Sequence, residues 1–508
     1  MHKVTRRTLL RHGAEAAVAA VAESIGSTAL AAPAVARAPT GKARLNILFI
    51  AIDDLNDWTG WQGGYPLAST PNLDRLAGEG VGLHRAYTEA PVCQAARAAI
   101  LFGRSPWRTG IYTNHCLNWN RVAPDRTSVV RAFKDAGYLT TYTGKIHHLD
   151  WRWNTAPNDP ASWTDPLPRP DWAESGKEPL IWRAEGTRDT QEDIRCARLM
   201  VEKHLSKRHD RPFFAAFGLR KPHPKWVTPQ TYFDRFPDAD RLPYPLGALD
   251  TLHAAMRRNE DIEDLPEAGR AMARQRHADH LDIAGKGAWK AYVKGYLACI
   301  AEADDAIGIA LDGLRKGPNA ANTIVVVWSD HGWQLGEKCT WQKFTLWERA
   351  LRVPVIFAGP GIRPRASRTL FSTTDLYRTL AGLAGIDRPD DIDGVDHAAF
   401  LRGDAKGKRD AVISSWAFDV DGDDSAKISK DRRDLHFSVR TEQHRLIAYG
   451  NGDVELYDHR TDPYEWANLA ERKSERDVVE RLLERVPKKP APPALAEKDA
   501  EVAALADD

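Results

Sequence analysis

Short apolar runs punctuate this chain, and several of them stop abruptly at charged residues. LNILFIAIDDLND (45–57) is the clearest case. Its Leu, Ile and Phe run ends in two aspartates, which predicts a parallel strand buried on both faces with acids at its carboxyl end. TPNLDRLAGEG (70–80) opens on Thr-Pro and closes on glycines, the punctuation of a helix. SVVRAFKDAGYLTTYTGKIHH (128–148) reads as a helix, a Gly-centred stop, a strand and a Gly-Lys loop. PFFAAFGL (212–219) is a further strand and runs into RKPHPKW. The pattern YLACIAEADDAIGIALDGLRKG (296–317) predicts a helix ahead of TIVVVWSDHGW (323–333), another buried strand, this one ending in Asp-His. VPVIFAGPG (353–361) adds one more. Strands alternating with helices predict an α/β fold: a large mixed, mainly parallel sheet with helices on both faces, whose ligands gather at the carboxyl ends of the strands.

Beyond about residue 370 the texture changes. LHFSVRTEQHRLIAYGNGDVELYD (435–458) alternates apolar and polar positions and carries an Asn-Gly turn signal at 451–452, so it reads as antiparallel hairpins. VVERLLERV (478–486) predicts a helix packed on them. The expected division is a large domain over 43–368 that carries the strand-end acids, a smaller C-terminal subdomain with antiparallel sheet and helix over 369–487, and a flexible tail over 488–508. Residues 1–38 stand apart. TRRTLLRHG places Arg6 and Arg7 before a weakly apolar, alanine-rich stretch with Ala34-Val35-Ala36 near its end, which reads as a twin-arginine export signal. Glu15 and Glu23 make it a poor membrane span. The expected location is periplasmic or secreted.

Composition narrows the partners. Lys+Arg 71 against Asp+Glu 70 leaves no electrostatic case for a nucleic-acid or membrane-surface partner, although a local anion site remains open. The 5 cysteines are scattered and contain no C-x-x-C pair, so neither a disulfide framework nor a zinc knuckle is indicated. Cys93 in PVCQAARAAILFGR (91–104) reads, taken alone, as a buried thiol. Its company changes that reading. Asp53 and Asp54 end one strand, Asp330 and His331 end another, and adjacent acids at a buried strand end repel each other unless a cation or cationic side chains neutralise them. Oxygen-rich ligation suits Ca²⁺ or Mg²⁺. Arg97, Lys145, His147, His148, His223 and Lys343 all fall on strand-end loops or beside Cys93. Together they describe a pocket for a tetrahedral oxyanion next to a metal.

Six segments carry a family resemblance: IAIDDLND, PVCQAARAAILFGRSPWRTGIY, AGYLTTYTGKIHH, LRKPHPKW, VVVWSDHGWQLGEKCTWQKF and LYDHRTDPYEWANLA. Their order resembles that of the type I, formylglycine-dependent sulfatases of the alkaline-phosphatase-like superfamily. The KPH, W-x-K and DHGxxLGE details are most similar to the iduronate-2-sulfatase-like branch. The resemblance implies that Cys93 is oxidised to formylglycine by a formylglycine-generating enzyme and that Arg97 orients the hydrate. It implies a calcium ion, with Mg²⁺ the weaker fit, held by Asp53, Asp54, Asp330, His331 and residue 93. Lys145 and one of His147 or His148 would contact the nucleophile or the sulfate, and His223 and Lys343 would bind sulfate and assist the leaving alcohol. In that scheme one hydroxyl of the hydrate attacks sulfur, and the second expels sulfate as the aldehyde re-forms.

Two departures from the family pattern matter. CQAAR replaces the common C-x-P-S-R, and GKIHH places histidine at both spacings the family uses, the branch pattern leaning to His148. The expected function is hydrolysis of sulfate esters on sulfated sugars or glycans. The alternatives are a phosphonate monoester or phosphodiester hydrolase on the same scaffold, and a non-catalytic sulfated-glycan binder if Cys93 stays a thiol. Specificity is expected in the loops 149–190 and 225–290. Oligomeric state has no signature in the sequence.

Overall fold

The computed structural model describes residues 44–114, 127–148, 159–168, 170, 182–243, 260–418 and 435–494. The expected export signal and part of the substrate loops therefore lie outside the described residues.

The large sheet is built from β1 (Asn46–Asp53), β2 (Val81–Tyr87), β3 (Leu139–Gly144), β4 (Phe213–Pro222), β5 (Thr323–Ser329), β6 (Arg352–Val353), β7 (Val355–Ala358) and β8 (Arg365–Ser372). Its strand order is β6-β2-β7-β5-β1-β4-β3, with β8 on the far side of β2. The pairs β1–β4, β1–β5, β3–β4 and β2–β8 are parallel, while β7 runs antiparallel to both β5 and β2. A mixed, mainly parallel sheet is thus what the sequence pattern called for.

β1 lies at its centre, and its alternation shows why it is apolar throughout. Ile47, Phe49 and Ala51 enter one core with α2 (Cys93–Phe102), α3 (Val129–Asp135) and α6 (Asp375–Ala384). Leu48, Ile50 and Ile52 enter the other core with α1 (Pro71–Glu79), α4 (Glu192–Met200) and α5 (Trp289–Lys316). Both sets are fully buried, and each large side chain contributes about 1.5–3 kcal/mol. Between Asn46, whose amide is hydrogen-bonded to Thr323 and Phe213 N at the strand's start, and Asp53 at its end, every position is apolar.

The C-terminal unit is a four-stranded antiparallel sheet in the order β9 (Ala411–Ala417), β10 (Leu435–Thr441), β11 (His444–Ala448) and β12 (Val454–Asp458). Leu482 of α7 (Arg476–Leu483) packs into its small core with Val439, Leu446 and Leu456. Ser414 Oγ donates to Thr88 O at 2.6 Å and Ser415 N to Glu89 O at 2.8 Å, so β9 is stitched to the segment that leads into Cys93.

Two expected boundaries need correction. The division at 368 falls inside β8, a strand of the large sheet, and the antiparallel sheet starts only at Ala411. The flexible tail expected from 488 is fastened as far as its described end. Ala491 N donates to Trp107 O at 2.7 Å, Ala494 N to Gly110 O at 2.8 Å, and Tyr112 Oη to Ala491 O at 2.9 Å. Apolar Ala-Pro sequence that looked unstructured has backbone partners on the large domain. Among the described residues no helix is long and apolar enough to cross a membrane.

Candidate active site

The carboxyl ends of β1, β3, β4 and β5 converge, and close backbone approach brings two of their loops together. Gly144, at φ +71, ends β3. A Cβ there would lie 1.8 Å from Gly218 O, and one on Gly218 would lie 2.2 Å from Lys145 O. Only glycine permits this pinch, which sets the Lys145 loop against the loop carrying His223.

Asp53 and Asp54 leave β1 with no solvent exposure, and Asp54 adopts φ +64. Ties from two other elements hold that left-handed residue, and its own loop secures one of them. Its N–H donates to Asp330 Oδ1 at 3.2 Å, its carbonyl accepts from Tyr296 Oη at 2.7 Å, and Tyr296 Oη accepts from Asn56 N at 3.1 Å. Sequence reasoning missed Tyr296. A lone tyrosine inside a long amphipathic helix gives no signal, because only the fold aims its hydroxyl.

Cys93 is the first residue of α2, after extended Val92, with no side-chain cap. The helix dipole therefore points its positive end at the thiol. Lys343 Nζ lies 3.0 Å from Cys93 Sγ and His331 Nε2 lies 3.2 Å from it. Burial works to raise the thiol's pKa, but Lys145, Lys343, His331 and a hydrogen bond from His148 hold it well below its ordinary value. Nucleophilic character at residue 93 is favoured by its setting.

Arg97, one helical turn on, is fully buried and bound on every side. Nε donates to Asp330 Oδ2 at 2.8 Å, Nη2 to Asp53 Oδ1 at 3.2 Å, and Nη1 to the carbonyls of Lys145 at 2.6 Å and Ile146 at 3.0 Å. It ties α2 to three strand ends. Lys145 Nζ donates to Asp53 Oδ2, and Lys343 Nζ to Asp54 Oδ1 at 2.8 Å.

The adjacent carboxylates are pushed apart in acidity. Burial raises both, but Lys145, His223 and Arg97 outweigh it at Asp53 and hold that group far below the carboxylate range. At Asp54 burial wins over Lys343, with Asp53's charge adding to it, and the pKa rises to about 7. Burial likewise lifts Asp330 to about 6 against Arg97. His331 is raised to about 9 because Asp330 overcomes its burial.

One histidine of the GKIHH pair faces the nucleophile. His148 hydrogen-bonds the Cys93 thiol, and burial lowers its pKa to about 4. His147 instead meets Trp163 edge-on at 6.1 Å, and burial, with Asp159 opposing it, lowers its pKa to about 4. His223 Nε2 stands 3.9 Å from Asp54 Oδ2, its ring also hydrogen-bonds Cys93, and burial lowers its pKa to about 3. The structure thus gathers every predicted site residue except His147 around Cys93 and the two aspartates.

A divalent cation fits this set. Ligand atoms of Asp53, Asp54, Cys93 and His331 lie within 4.8 Å of one another, and buried Asp54 Oδ2 accepts no hydrogen bond. Asp330 sits beside them with its oxygens engaged by Asp54 N, His331 N and Arg97.

The segment that delivers Lys343 is unusual. Gly336 (φ +109), Lys338 (+54), Cys339 (+53), Gln342 (+70) and Phe344 (+69) are all left-handed, so Lys343 stands between two strained residues. Outside ties hold them. His277 Nδ1 donates to Cys339 O at 2.7 Å, Gln342 Nε2 to Asp279 Oδ2 at 2.6 Å, and Phe344 N to Pro91 O at 3.3 Å.

Comparison with known proteins agrees with this geometry. Residues 45–386 match the sulfatase family, and residues 336–491 match the C-terminal region described as N-sulphoglucosamine sulphohydrolase, C-terminal. A sulfatase of Formosa agariphila is 30% identical, with 87% of this chain and 86% of that protein covered. Mouse (Mus musculus) iduronate 2-sulfatase is 27% identical over 72% of this chain and 73% of its own. Among solved structures, the phosphonate monoester hydrolase of Agrobacterium radiobacter shares the fold at a TM-score of 0.69 and 20% identity, covering 87% of this chain and 94% of that one. With its buried Cys93 and strand-end acids, and with the family match spanning most of its length, this chain belongs to the sulfatase family and is a sulfuric ester hydrolase.

Proposed function

We propose that the protein hydrolyses sulfate esters of sulfated sugars, with residue 93 acting as formylglycine and a calcium ion held by Asp53, Asp54, His331 and residue 93, bordered by Asp330. The observation that carries this reading is the setting of Cys93: a helix N-terminus, two lysines, three histidines and an oxygen-bearing cation cradle around one buried side chain. The hydrated aldehyde supplies one hydroxyl to attack sulfur and a second to expel sulfate. A calcium ion held by Asp53, Asp54, His331 and residue 93 would supply positive charge to favour an ionised hydroxyl.

The remaining work falls to side chains of the chain. Arg97, locked by four hydrogen bonds, keeps Asp53 and Asp330 in place. Lys145 and Lys343 stabilise the charge that builds on the sulfuryl oxygens. His148 orients residue 93. His223 gives its proton to the leaving oxygen, since an anionic ester bound against the ring favours the protonated imidazole. A sugar substrate is supported by the names of the relatives, which include an iduronate sulfatase. The twin-arginine segment supports export to the periplasm or beyond.

Two measurements test the reading. Mass spectrometry of the 86–104 peptide from the native source should show the aldehyde in place of the thiol, and unmodified thiol alone would turn the protein into a binder. Parallel assays on a nitrophenyl sulfate and a nitrophenyl phosphodiester should favour the sulfate. Turnover of the diester alone would move the enzyme to the phosphonate hydrolases whose fold it shares.

A further inference from the structure

His223 sits on a loop that turns through RKPHPKW, and a buried polar bracket behind that loop belongs to no part of the mechanism above. Asp193, in the first turn of α4 and buried, accepts the N–H of Arg220 at Oδ1 and of Lys221 at Oδ2, each at 2.9 Å. Lys221 Nζ reaches across the loop to the carbonyls of Lys225 at 2.9 Å and Val227 at 2.8 Å. Trp226 Nε1 donates to Pro222 O at 2.7 Å, and His223 N to Arg220 O at 2.9 Å. One carboxylate thus fixes the start of the loop and one ammonium fixes its end, leaving His223 at the tip facing Asp54.

A buried carboxylate and a buried ammonium are costly to desolvate, and neither contacts the reacting centre. Their hydrogen bonds go to backbone groups on either side of a single histidine. A hydrophobic pair would fill the same volume but take the side-chain partners from two amides and from the Val227 carbonyl, while Lys225 O would keep only Val227 N. We propose that Asp193 and Lys221 are positioning residues for His223: they fix its imidazole where the leaving oxygen needs a proton. The inference rests on His223 being the acid.

The test is a leaving-group series on the mature, full-length enzyme, running from nitrophenyl sulfate through phenyl sulfate to a sugar sulfate. Nitrophenolate leaves without help, whereas a sugar alcohol needs the proton, so a misplaced acid costs more as the alcohol becomes poorer. Asp193→Asn keeps the side chain's size but turns one acceptor into a donor, so one loop amide loses its partner. Its loss in kcat/KM on the sugar sulfate should exceed that on nitrophenyl sulfate by about tenfold, tracking the steeper profile of His223→Ala. A merely structural role would lower every substrate by the same factor. A flat Asp193→Asn profile beside a sloping His223→Ala profile would therefore overturn the positioning role. A flat His223→Ala profile would overturn the acid assignment itself, and this inference with it. If Asp193→Asn fails to fold in thermal melts, Lys221→Met loosens the loop's other end, and its profile decides in the same way.

Discussion

Among the described residues, two places gather acids with a histidine closely enough to hold a cation: Asp53, Asp54, Cys93 and His331 at the end of β1, and Glu348, His459 and Glu465 beneath the C-terminal sheet. They are alike in composition and opposite in state. In the second, Glu348 accepts from Tyr87 Oη at 2.9 Å, Arg440 Nε at 3.2 Å and Arg445 Nη2. Glu465 accepts from Arg445 Nε at 2.6 Å, His459 Nε2 at 2.9 Å and Glu348 N at 2.8 Å. Every oxygen is satisfied and two guanidinium groups supply the positive charge, so the cluster is a buried ion network. At β1 the lysines and arginine leave Asp54 Oδ2 unmet, and Asp54 is driven towards protonation. An unmet oxygen, more than a count of acids, separates a metal cradle from a salt bridge.

The comparison can be broken most forcefully at residue 93. Cys93→Ala should lower kcat on nitrophenyl sulfate by at least ~10⁴-fold while leaving the melting temperature close to that of the parent, since function and not folding is concentrated there. Next in size is Glu465→Gln, which leaves Arg445 and His459 short of a counter-charge and should cost about 3–5 kcal/mol in denaturant unfolding. Its metal dependence should not change.

Chelation should then separate the two clusters. Removing the ion should abolish activity and lower the melting temperature, and Ca²⁺ should restore both, by about 3–4 kcal/mol at a hundred to a thousand times its Kd. Asp54→Asn should show neither response. The metal-free protein also gives opposite pH trends. Arg440, His459 and Arg445 outweigh burial and hold Glu348 well below its ordinary 4.5, so its contribution is present above that pH and is lost as the pH falls through the depressed value. Burial has raised Asp54 to about 7, so its penalty is absent below 3.8 and grows as the pH rises to about 7. Stability of the chelated enzyme should therefore decline between pH 4 and 7, and Asp54→Asn should flatten that decline.

The smallest contrast lies within GKIHH. His148→Ala should reduce kcat about 10²-fold, and His147→Ala less than about threefold, because only the first reaches the thiol.

How much of this was legible in the sequence depends on how local the signal was. β1 and β5 announce themselves by continuous apolar runs that stop at acids, and Asp53, Asp54, Asp330 and His331 follow from those stops, while the Lys, Arg and remaining His groups came from loops after other strands and from the motif around Cys93. β2 and β8 escaped. VGLHRAY and RASRTLFS keep half-exposed polar side chains because they lie towards the sheet's edge, where alternation is diluted. The Glu348–Arg440–Arg445–His459–Glu465 network escaped for another reason. Its members are ordinary charged residues far apart in the chain, and only the docking of the antiparallel sheet makes them neighbours. Asp193 is invisible in the same way: an acid in a helix's first turn has a sufficient local explanation in the helix dipole. The GKIHH ambiguity needed three dimensions, since both spacings are present and only the turn after Gly144 decides which ring faces Cys93.

The left-handed residues around Lys343 have a consequence for anyone engineering this enzyme. Each non-glycine residue held at positive φ costs about 1–3 kcal/mol, so a stability-guided search would place glycine or asparagine at 342 and 344 and be rewarded with a higher melting temperature. The same exchange would release the backbone on either side of the lysine that touches both Asp54 and residue 93. Robustness and turnover are therefore coupled with opposite sign along this short segment. A library aimed at thermostable variants should hold it fixed and look for its gains elsewhere.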